Sequence, residues 1–303
     1  MRNKKQVAVL LVFTLILSLV LFGCGPKAAA PAPAAEEPKK EAAAPEAPKA
    51  EEPKAEAEKP LTVLKVGASP VPHAEILKFI VPKLKEKGID LQVVEFTDYV
   101  QPNLALQNKE LDANYFQHLP YLTDFNKKNN TQISPSINVH FEPLGLYPGK
   151  TKSLNDVKEG DTIAVPNDTT NEARALLLLE AAGLIKVKAD AGLAATVKDI
   201  TENPKKLKIK ELEAAQISRA LQDVNLAVIN GNYAIEAGLN AATDALKAED
   251  KDSLAAKTFA NFLAVRTGDE GRAEIKTLGE VLNSQEVKDF INEKYKGAVV
   301  PVF

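Results

Sequence analysis

Beyond residue 60, apolar residues recur in short runs separated by segments with helical spacing. Val63–Ala68 and Leu91–Phe96 are apolar runs rich in β-branched residues, which favour strands. Between them, His73–Glu86 places Ile76 and Ile80 on one face of a predicted helix. The three segments together predict a βαβ unit with two parallel strands.

The same alternation continues to the C-terminus. Further strands are predicted at Thr162–Pro166, Leu207–Leu212, Leu226–Ile229 and Thr258–Val265. Helices are predicted at Ala173–Ala182, Glu213–Leu221, Arg272–Leu282 and Ser284–Tyr295, the first of them preceded by a capping box, Thr169-x-x-Glu172. This order predicts α/β architecture with mostly parallel sheets, in which ligands bind beyond the carboxyl ends of the strands.

The N-terminal 24 residues have a different pattern. Basic residues precede the apolar run Val7–Phe22, as in a secretory signal peptide, and a retained membrane helix is the alternative. The run ends in Leu-Phe-Gly-Cys, which resembles the bacterial lipobox, where the cysteine receives a diacylglyceryl group. Cys24 is the single cysteine of the chain, so no internal disulfide forms. We therefore predict that residues 1–24 are a lipoprotein signal peptide with its lipobox. We further predict that the protein is bacterial and is held in the cell membrane by lipid on Cys24, facing the extracytoplasmic side.

Composition separates a linker from the folded part. Residues 25–60 are built almost wholly of Ala, Pro, Glu and Lys, which cannot bury enough apolar surface to offset the entropy of ordering. They predict a disordered tether, extended by about 3 Å per residue. Residues 61–303 remain for the folded part, and the net charge of −3 gives no support to a nucleic-acid partner.

The segment Asp112–Leu122, DANYFQHLPYL, is the densest cluster of rings and hydrogen-bonding side chains. Such a mixture suits the wall of a small cleft, because rings supply apolar surface and a few polar atoms orient a ligand. A half-buried loop with ordinary surface rings is the alternative. His118, within it, is the one residue that suggests catalysis, with Asp98 or Asp112 as partner. No serine or cysteine stands in a nucleophile motif, however, and His73 and His140 are isolated in sequence, so no catalytic, metal or cofactor site is predicted.

Two further polar residues follow predicted strands. Arg174 lies near the start of its helix, and no acidic residue stands three or four positions away. An unpaired arginine at a helix start is suited to bind a ligand carboxylate. A solvated arginine on the helix surface is the alternative. Asn230 precedes Gly231 and fits either a ligand-binding amide or a left-handed turn residue.

Several long motifs in order resemble the NlpA-type methionine-binding lipoproteins, the substrate-binding components of a bacterial methionine ABC importer. They are VEFTDYVQPNLAL, LDANYFQHLPYL, VPNDTTNEARALLLLEAAGLI, DITENPKKLKIKELEAAQISRAL and VNLAVINGNYAIEAGL. The resemblance implies a two-lobed periplasmic-binding-protein fold, type II-like, with two crossover strands and the ligand between the lobes. Lobe 1 would comprise about 61–146 plus 255–303, and lobe 2 about 147–254. The ligand-binding residues implied are Tyr99, Phe116, His118 and Tyr121 around the side chain, Arg174 on the α-carboxylate, and Asn230 and Asn232 at the polar end.

The function implied is capture of L-methionine without chemistry and its delivery to an ABC permease and ATPase. Another small amino acid, D-methionine or a methionine-containing short peptide is the nearest alternative. An exported hydrolase using His118, or a surface adhesin, represents a different class.

Overall fold

A computed structural model describes residues 60–250 and 254–303. Cys24, the predicted signal peptide and almost all of the predicted tether lie outside these residues. The strands are β1 (Thr62–Ala68), β2 (Ile89–Glu95), β3 (Ala113–His118), β4 (Ile133–Phe141), β5 (Gly145–Pro148), β6 (Thr162–Pro166), β7 (Lys186–Val187), β8 (Ile200–Glu202), β9 (Lys208–Leu212), β10 (Leu226–Ile229), β11 (Lys247–Ala248), β12 (Asn261–Arg266) and β13 (Val300–Pro301). The helices are α1 (Glu75–Glu86), α2 (Gln101–Gln107), α3 (Leu119–Asn129), α4 (Thr169–Ala181), α5 (Ala214–Ala220), α6 (Gly231–Glu236), α7 (Leu254–Thr258), α8 (Ala273–Leu282) and α9 (Gln285–Tyr295).

These strands form two main sheets. The first sheet has the order β13-β4-β12-β3-β1-β2, and the second has the order β11-β5-β10-β6-β9. The pair β7 and β8 stands apart. The α/β fold class is confirmed, and the predicted βαβ unit forms as β1-α1-β2 with parallel strands.

The prediction of mostly parallel sheets is wrong, because both sheets are mixed. In the first, β12 runs antiparallel to both β3 and β4, and in the second, β5 runs antiparallel to β10. Both sheets thus combine parallel strands with an antiparallel strand that follows a crossover between the sheets, β5 in the second sheet and β12 in the first. A mixed sheet of this kind is common among large sheets.

Two local predictions also need correction. The last predicted strand, Thr258–Val265, begins only at Asn261, because α7 occupies the residues up to Thr258. Helix α4 is not started by a Thr169–Glu172 capping box: Asp168 is the N-cap and accepts a hydrogen bond from the N–H of Asn171. The carboxylate of Glu172 instead accepts from the N–H of Val197, which is distant in sequence.

Each sheet has its own apolar core. Leu64, Ile76, Leu278 and Ile291 are fully buried where α1, α8 and α9 pack on the first sheet. A separate buried cluster that includes Leu176 joins α4 to the second sheet. Each sheet is thus packed on its own core, and the space between the two sheets is available for a ligand.

The chain crosses between the two sheets twice, from β4 to β5 and from β11 through α7 to β12. Strand β12, α8 and α9 thereby pack with the first sheet. The exact lobe boundaries, and their movement about these connections, stay a prediction. Within the described residues, no helix combines the length and the apolar character needed to cross a bilayer.

Candidate functional site

A cavity lies among residues from both sheets, with about 350 Å³ of empty space that includes its opening to solvent. It is lined by Tyr99, Phe116, Gln117, His118, Tyr121, Glu142, Asn171, Arg174, Asn230, Gly231, Asn232 and Asn261. Every ligand-binding residue predicted from the sequence therefore lies in one place. The part that each plays toward a ligand stays a prediction.

The ends of a few elements bring these side chains together. Phe116 and His118 end β3, and Tyr121 follows in the first turn of α3, where Pro120 is compatible with a helix start. The segment is therefore a fully buried strand and a helix start, and the alternative of a half-buried loop is wrong. From the second sheet's side, Arg174 projects from α4, and Asn230 is the N-cap of α6.

Three rings form one wall of the cavity. The Tyr99 ring centroid lies 5.8 Å from that of Phe116 and 5.7 Å from that of Tyr121, and Phe116 and Tyr121 are 6.1 Å apart. The hydroxyl of Tyr121 donates to the carbonyl of Tyr99 at 2.9 Å, which satisfies its polar end. The wall offers an apolar, polarisable surface, against which an alkyl or thioether chain packs well.

His118 is a neutral hydrogen-bonding group. Its Nδ1 accepts from the N–H of Tyr121 at 3.3 Å, so the proton is on Nε2, which donates to the Oδ1 of Asn171 at 3.2 Å. Burial, and then the charge of Arg174, lower the pKa of His118 to about 3. Asn171 Oδ1 also accepts from Asn230 at 3.0 Å, while its amide donates to Asp168. Hydrogen bonds thus connect β3 directly to α4 and, through Asn171, to the start of α6.

Arg174 is 5 % exposed, so the alternative of a solvated arginine is wrong. Its carboxylate partner, absent from the neighbouring sequence, is Glu249, which accepts from Nε at 2.6 Å and also from Nη2. Nη2 donates in addition to the carbonyl of Glu142 at 3.0 Å, and the guanidinium carbon lies 4.2 Å from the ring centroid of Phe259. Glu249 also accepts from the N–H of Leu144 at 2.9 Å. The guanidinium is therefore fixed in place by both connections between the sheets.

Two buried amides carry atoms without a hydrogen-bond partner. The Oδ1 of Asn230 and the Nδ2 of Asn232 are both unpaired, although the residues are only 6 % and 4 % exposed. The Oδ1 of Asn232 accepts from the Tyr99 hydroxyl at 2.5 Å. Asn230 has φ −62° and ψ 145°, so the alternative of a left-handed turn residue is wrong. Because buried polar atoms are rarely left unpaired, a free acceptor and a free donor on the same cavity indicate a polar ligand.

Five lining residues were not predicted from the sequence: Gln117, Glu142, Asn171, Gly231 and Asn261. His73 and His140 are isolated in sequence, whereas the structure places their ring nitrogens and a carboxylate oxygen of Glu142 within 4.8 Å of one another. Contacts between residues so distant in sequence leave no local signal. Two of the five did have a local signal, since Gln117 stands between Phe116 and His118 and Asn171 stands in the polar segment before Arg174.

Comparisons with known proteins agree over the same region. The family model described as NlpA lipoprotein matches residues 64–303. The chain is 44 % identical over 241 residues to the methionine-binding lipoprotein MetQ of Bacillus subtilis, covering 78 % of this chain and 87 % of that protein. It is 39 % identical over 246 residues to the D-methionine-binding lipoprotein MetQ of Escherichia coli, covering 80 % and 89 %.

Solved structures extend the likeness to the fold. A nutrient binding protein from Burkholderia cenocepacia bound to methionine is 46 % identical, with a TM-score of 0.75, covering 79 % of this chain and 100 % of that one. A lipoprotein from Ruminococcus gnavus is 52 % identical, with a TM-score of 0.79, covering 80 % and 100 %. The match spans both sheets and the cavity between them, and the chain belongs to the NlpA lipoprotein family.

Proposed function

We propose that this protein captures L-methionine in the cavity between its two sheets and delivers it to an ABC importer, without catalysing a reaction. The observation that carries the proposal is the chemical make-up of the cavity. The rings of Tyr99, Phe116 and Tyr121 line it together with Arg174 and with the unpaired amide atoms of Asn230 and Asn232. Such a combination suits a zwitterion that carries an apolar side chain.

The rings also suit a sulfur-containing side chain. A thioether beside a ring edge gains about 0.3–1.5 kcal/mol. The names of several relatives favour methionine, and some of them specify the D-isomer, so D-methionine is the second candidate.

A hydrolase has little support in this geometry. None of the lining residues is serine, threonine or cysteine, so the cavity offers no hydroxyl or thiol nucleophile of these kinds. Asp98 accepts from the backbone N–H groups of Val100 and Gln101 at the start of α2, and Asp112 pairs with Arg272. Neither carboxylate lines the cavity beside His118.

We further propose that lipid on Cys24 anchors the protein to the outer face of the membrane and that residues 25–60 tether it there. Closure of the two lobes around methionine would present one shape to the permease, and the tether would keep the protein near it.

Titration calorimetry on the purified full chain tests the ligand. L-methionine is expected to bind more tightly than D-methionine, norleucine, alanine or a methionine-containing dipeptide. At 100 times its dissociation constant it should stabilise the fold by about 2.7 kcal/mol, which thermal unfolding detects. Absence of a thermal shift with every amino acid would instead favour the adhesin. Separately, a Cys24→Ala variant is expected to lose its lipid mass and leave the membrane fraction.

A further inference from the structure

Arg174 lines two separate spaces, the cavity and a surface groove whose walls include Glu249 and Phe259. Phe259 lines the groove but not the cavity. We propose that Phe259 is a positioning residue for ligand binding, whose ring shields the guanidinium of Arg174 from water in the groove and keeps it oriented toward the ligand carboxylate. The proposal rests on the proposed function only in that the ligand carries an α-carboxylate bound by Arg174.

The ring of Phe259 lies against the guanidinium. The guanidinium carbon of Arg174 is 4.2 Å from the ring centroid of Phe259 and 5.9 Å from that of Phe141, both within the range of a cation–π interaction. Arg174 and Phe259 are each only 5 % exposed, so the contact is largely desolvated. A charge that is kept from water interacts more strongly with a ligand carboxylate than a hydrated charge does.

The ring is itself held by side chains from three elements. Phe259 directly follows α7 and stands two residues before the start of β12, on the second connection between the sheets. Its ring meets that of His118 in β3 edge to face, with centroids 5.1 Å apart and planes at 69°. It also packs in a buried cluster with Phe141 of β4 and Ala256 of α7. A ring held in this way restricts the guanidinium that lies against it.

The ring leaves the donors of Arg174 available. Among the described residues, the hydrogen bonds of this side chain involve Nε and Nη2, which donate to the carboxylate of Glu249 and to the carbonyl of Glu142. The two N–H groups of Nη1 are thus left for a ligand carboxylate. A phenyl ring carries no oxygen or nitrogen acceptor, so Phe259 orients the guanidinium without competing with the ligand for hydrogen bonds. Such preorganisation reduces the entropy lost on binding.

A pair of ligands isolates this effect from a general loss of packing. Calorimetry would compare L-methionine with L-methioninol, in which a hydroxymethyl group replaces the carboxylate, on wild type and on Phe259→Leu. The variant keeps an apolar side chain but removes the ring face. It is expected to weaken methionine about five- to tenfold and methioninol less than about twofold. Equal weakening of both ligands, or weakening of neither, would overturn the proposal.

Two further variants separate the ring from its bulk and from stability. Phe259→Tyr keeps the ring face and should bind both ligands within about twofold of wild type. A loss of methionine affinity as large as that of Phe259→Leu would contradict the proposal. The matched control is Phe262→Leu, which alters a buried phenylalanine of β12 that lines neither the cavity nor the groove. It should lower the thermal midpoint and leave both affinities unchanged.

The remaining outcomes are also decisive. If Phe259→Leu does not fold, Phe259→Met fills a similar volume without a ring and should weaken methionine selectively. If wild type binds a different amino acid, the proposed function fails, and the same comparison is made with that amino acid and its amino alcohol. If wild type binds no α-amino acid, both proposals fail.

Discussion

A single guanidinium links the candidate site to both connections between the sheets. Glu249 accepts from two nitrogens of Arg174, and the Glu142 carbonyl accepts from one of them. The pairing orients the side chain before a ligand arrives, so little entropy is lost when it binds a carboxylate.

Replacing Arg174 with alanine should reduce methionine affinity by about 10- to 100-fold, because the ligand carboxylate would lose a charge-assisted hydrogen bond in a buried site. Titration calorimetry measures the loss. The variant also leaves the carboxylate of Glu249 without its cation, so its thermal midpoint should fall as well.

Arg266→Ala is the matched control for this change. Arg266 is also largely buried, donates to backbone carbonyls and pairs with Asp269, but it does not line the cavity. It should lower the thermal midpoint and leave affinity within about twofold. An Arg174→Ala variant that binds methionine as tightly as this control would exclude a role for Arg174 in recognition.

Individual residues were predictable where local chemistry marked them. The rings and His118 stand in one polar-aromatic segment, and Arg174 stands at a helix start. Glu142 had no such mark, because its environment is built by His73 and Gly231, which are distant in sequence. Only the three-dimensional fold shows that a carboxylate faces the same cavity as the arginine.

At the level of elements, the start of α4 carries part of the site. Asp168 caps this helix by accepting from the N–H of Asn171, and it also holds the Asn171 amide at 2.9 and 3.0 Å. Asn171 in turn presents its Oδ1 to His118 and Asn230. The cap therefore determines the orientation of a side chain that joins the two sides of the cavity.

Asp168→Ala should destabilise the protein by about 1 kcal/mol, as loss of a helix cap does, and should also weaken methionine binding severalfold. The hydroxyl of Ser284 caps α9 by accepting from the N–H of Val287, and it does not line the cavity. Ser284→Ala should therefore reduce stability by a similar amount without changing affinity. Thermal unfolding and calorimetry on both variants separate the two effects. Equal affinities for the two variants would show that the α4 cap serves the helix alone.

The elements themselves were largely predictable, whereas their pairing was not. Leu226–Ile229 was predicted with its observed ends, because a short apolar run bounded by polar residues is a strong strand signal. The nine-residue strand β4 was missed, since Ile133–Phe141 mixes buried and exposed positions without regular alternation. The antiparallel placement of β12 between β3 and β4 arises from the second crossover, which local pattern does not encode.

For the molecule as a whole, the described residues contain all three histidines of the chain, and all three are buried. Burial lowers the pKa of His73 to about 4 and those of His118 and His140 to about 3. Below about pH 6.5 the unfolded chain binds protons at these groups while the folded chain does not. Their contribution to stability is thus fully present above about pH 6.5 and is lost as the pH falls to about 4 for His73 and to about 3 for His118 and His140.

The thermal midpoint of the ligand-free protein should therefore decrease from pH 7 to pH 5. Each histidine should lower the free energy of unfolding by up to about 1.4 kcal/mol for each unit by which the pH falls. The raised pKa of Glu142 and that of Asp168 act in the opposite direction, because the folded chain retains those protons to higher pH, and they moderate the loss. His118→Asn removes one titrating group but keeps a residue that caps helices well at the start of α3. Its midpoint should decrease less steeply with falling pH than that of wild type, and parallel curves would show that His118 titrates alike in the folded and unfolded chains.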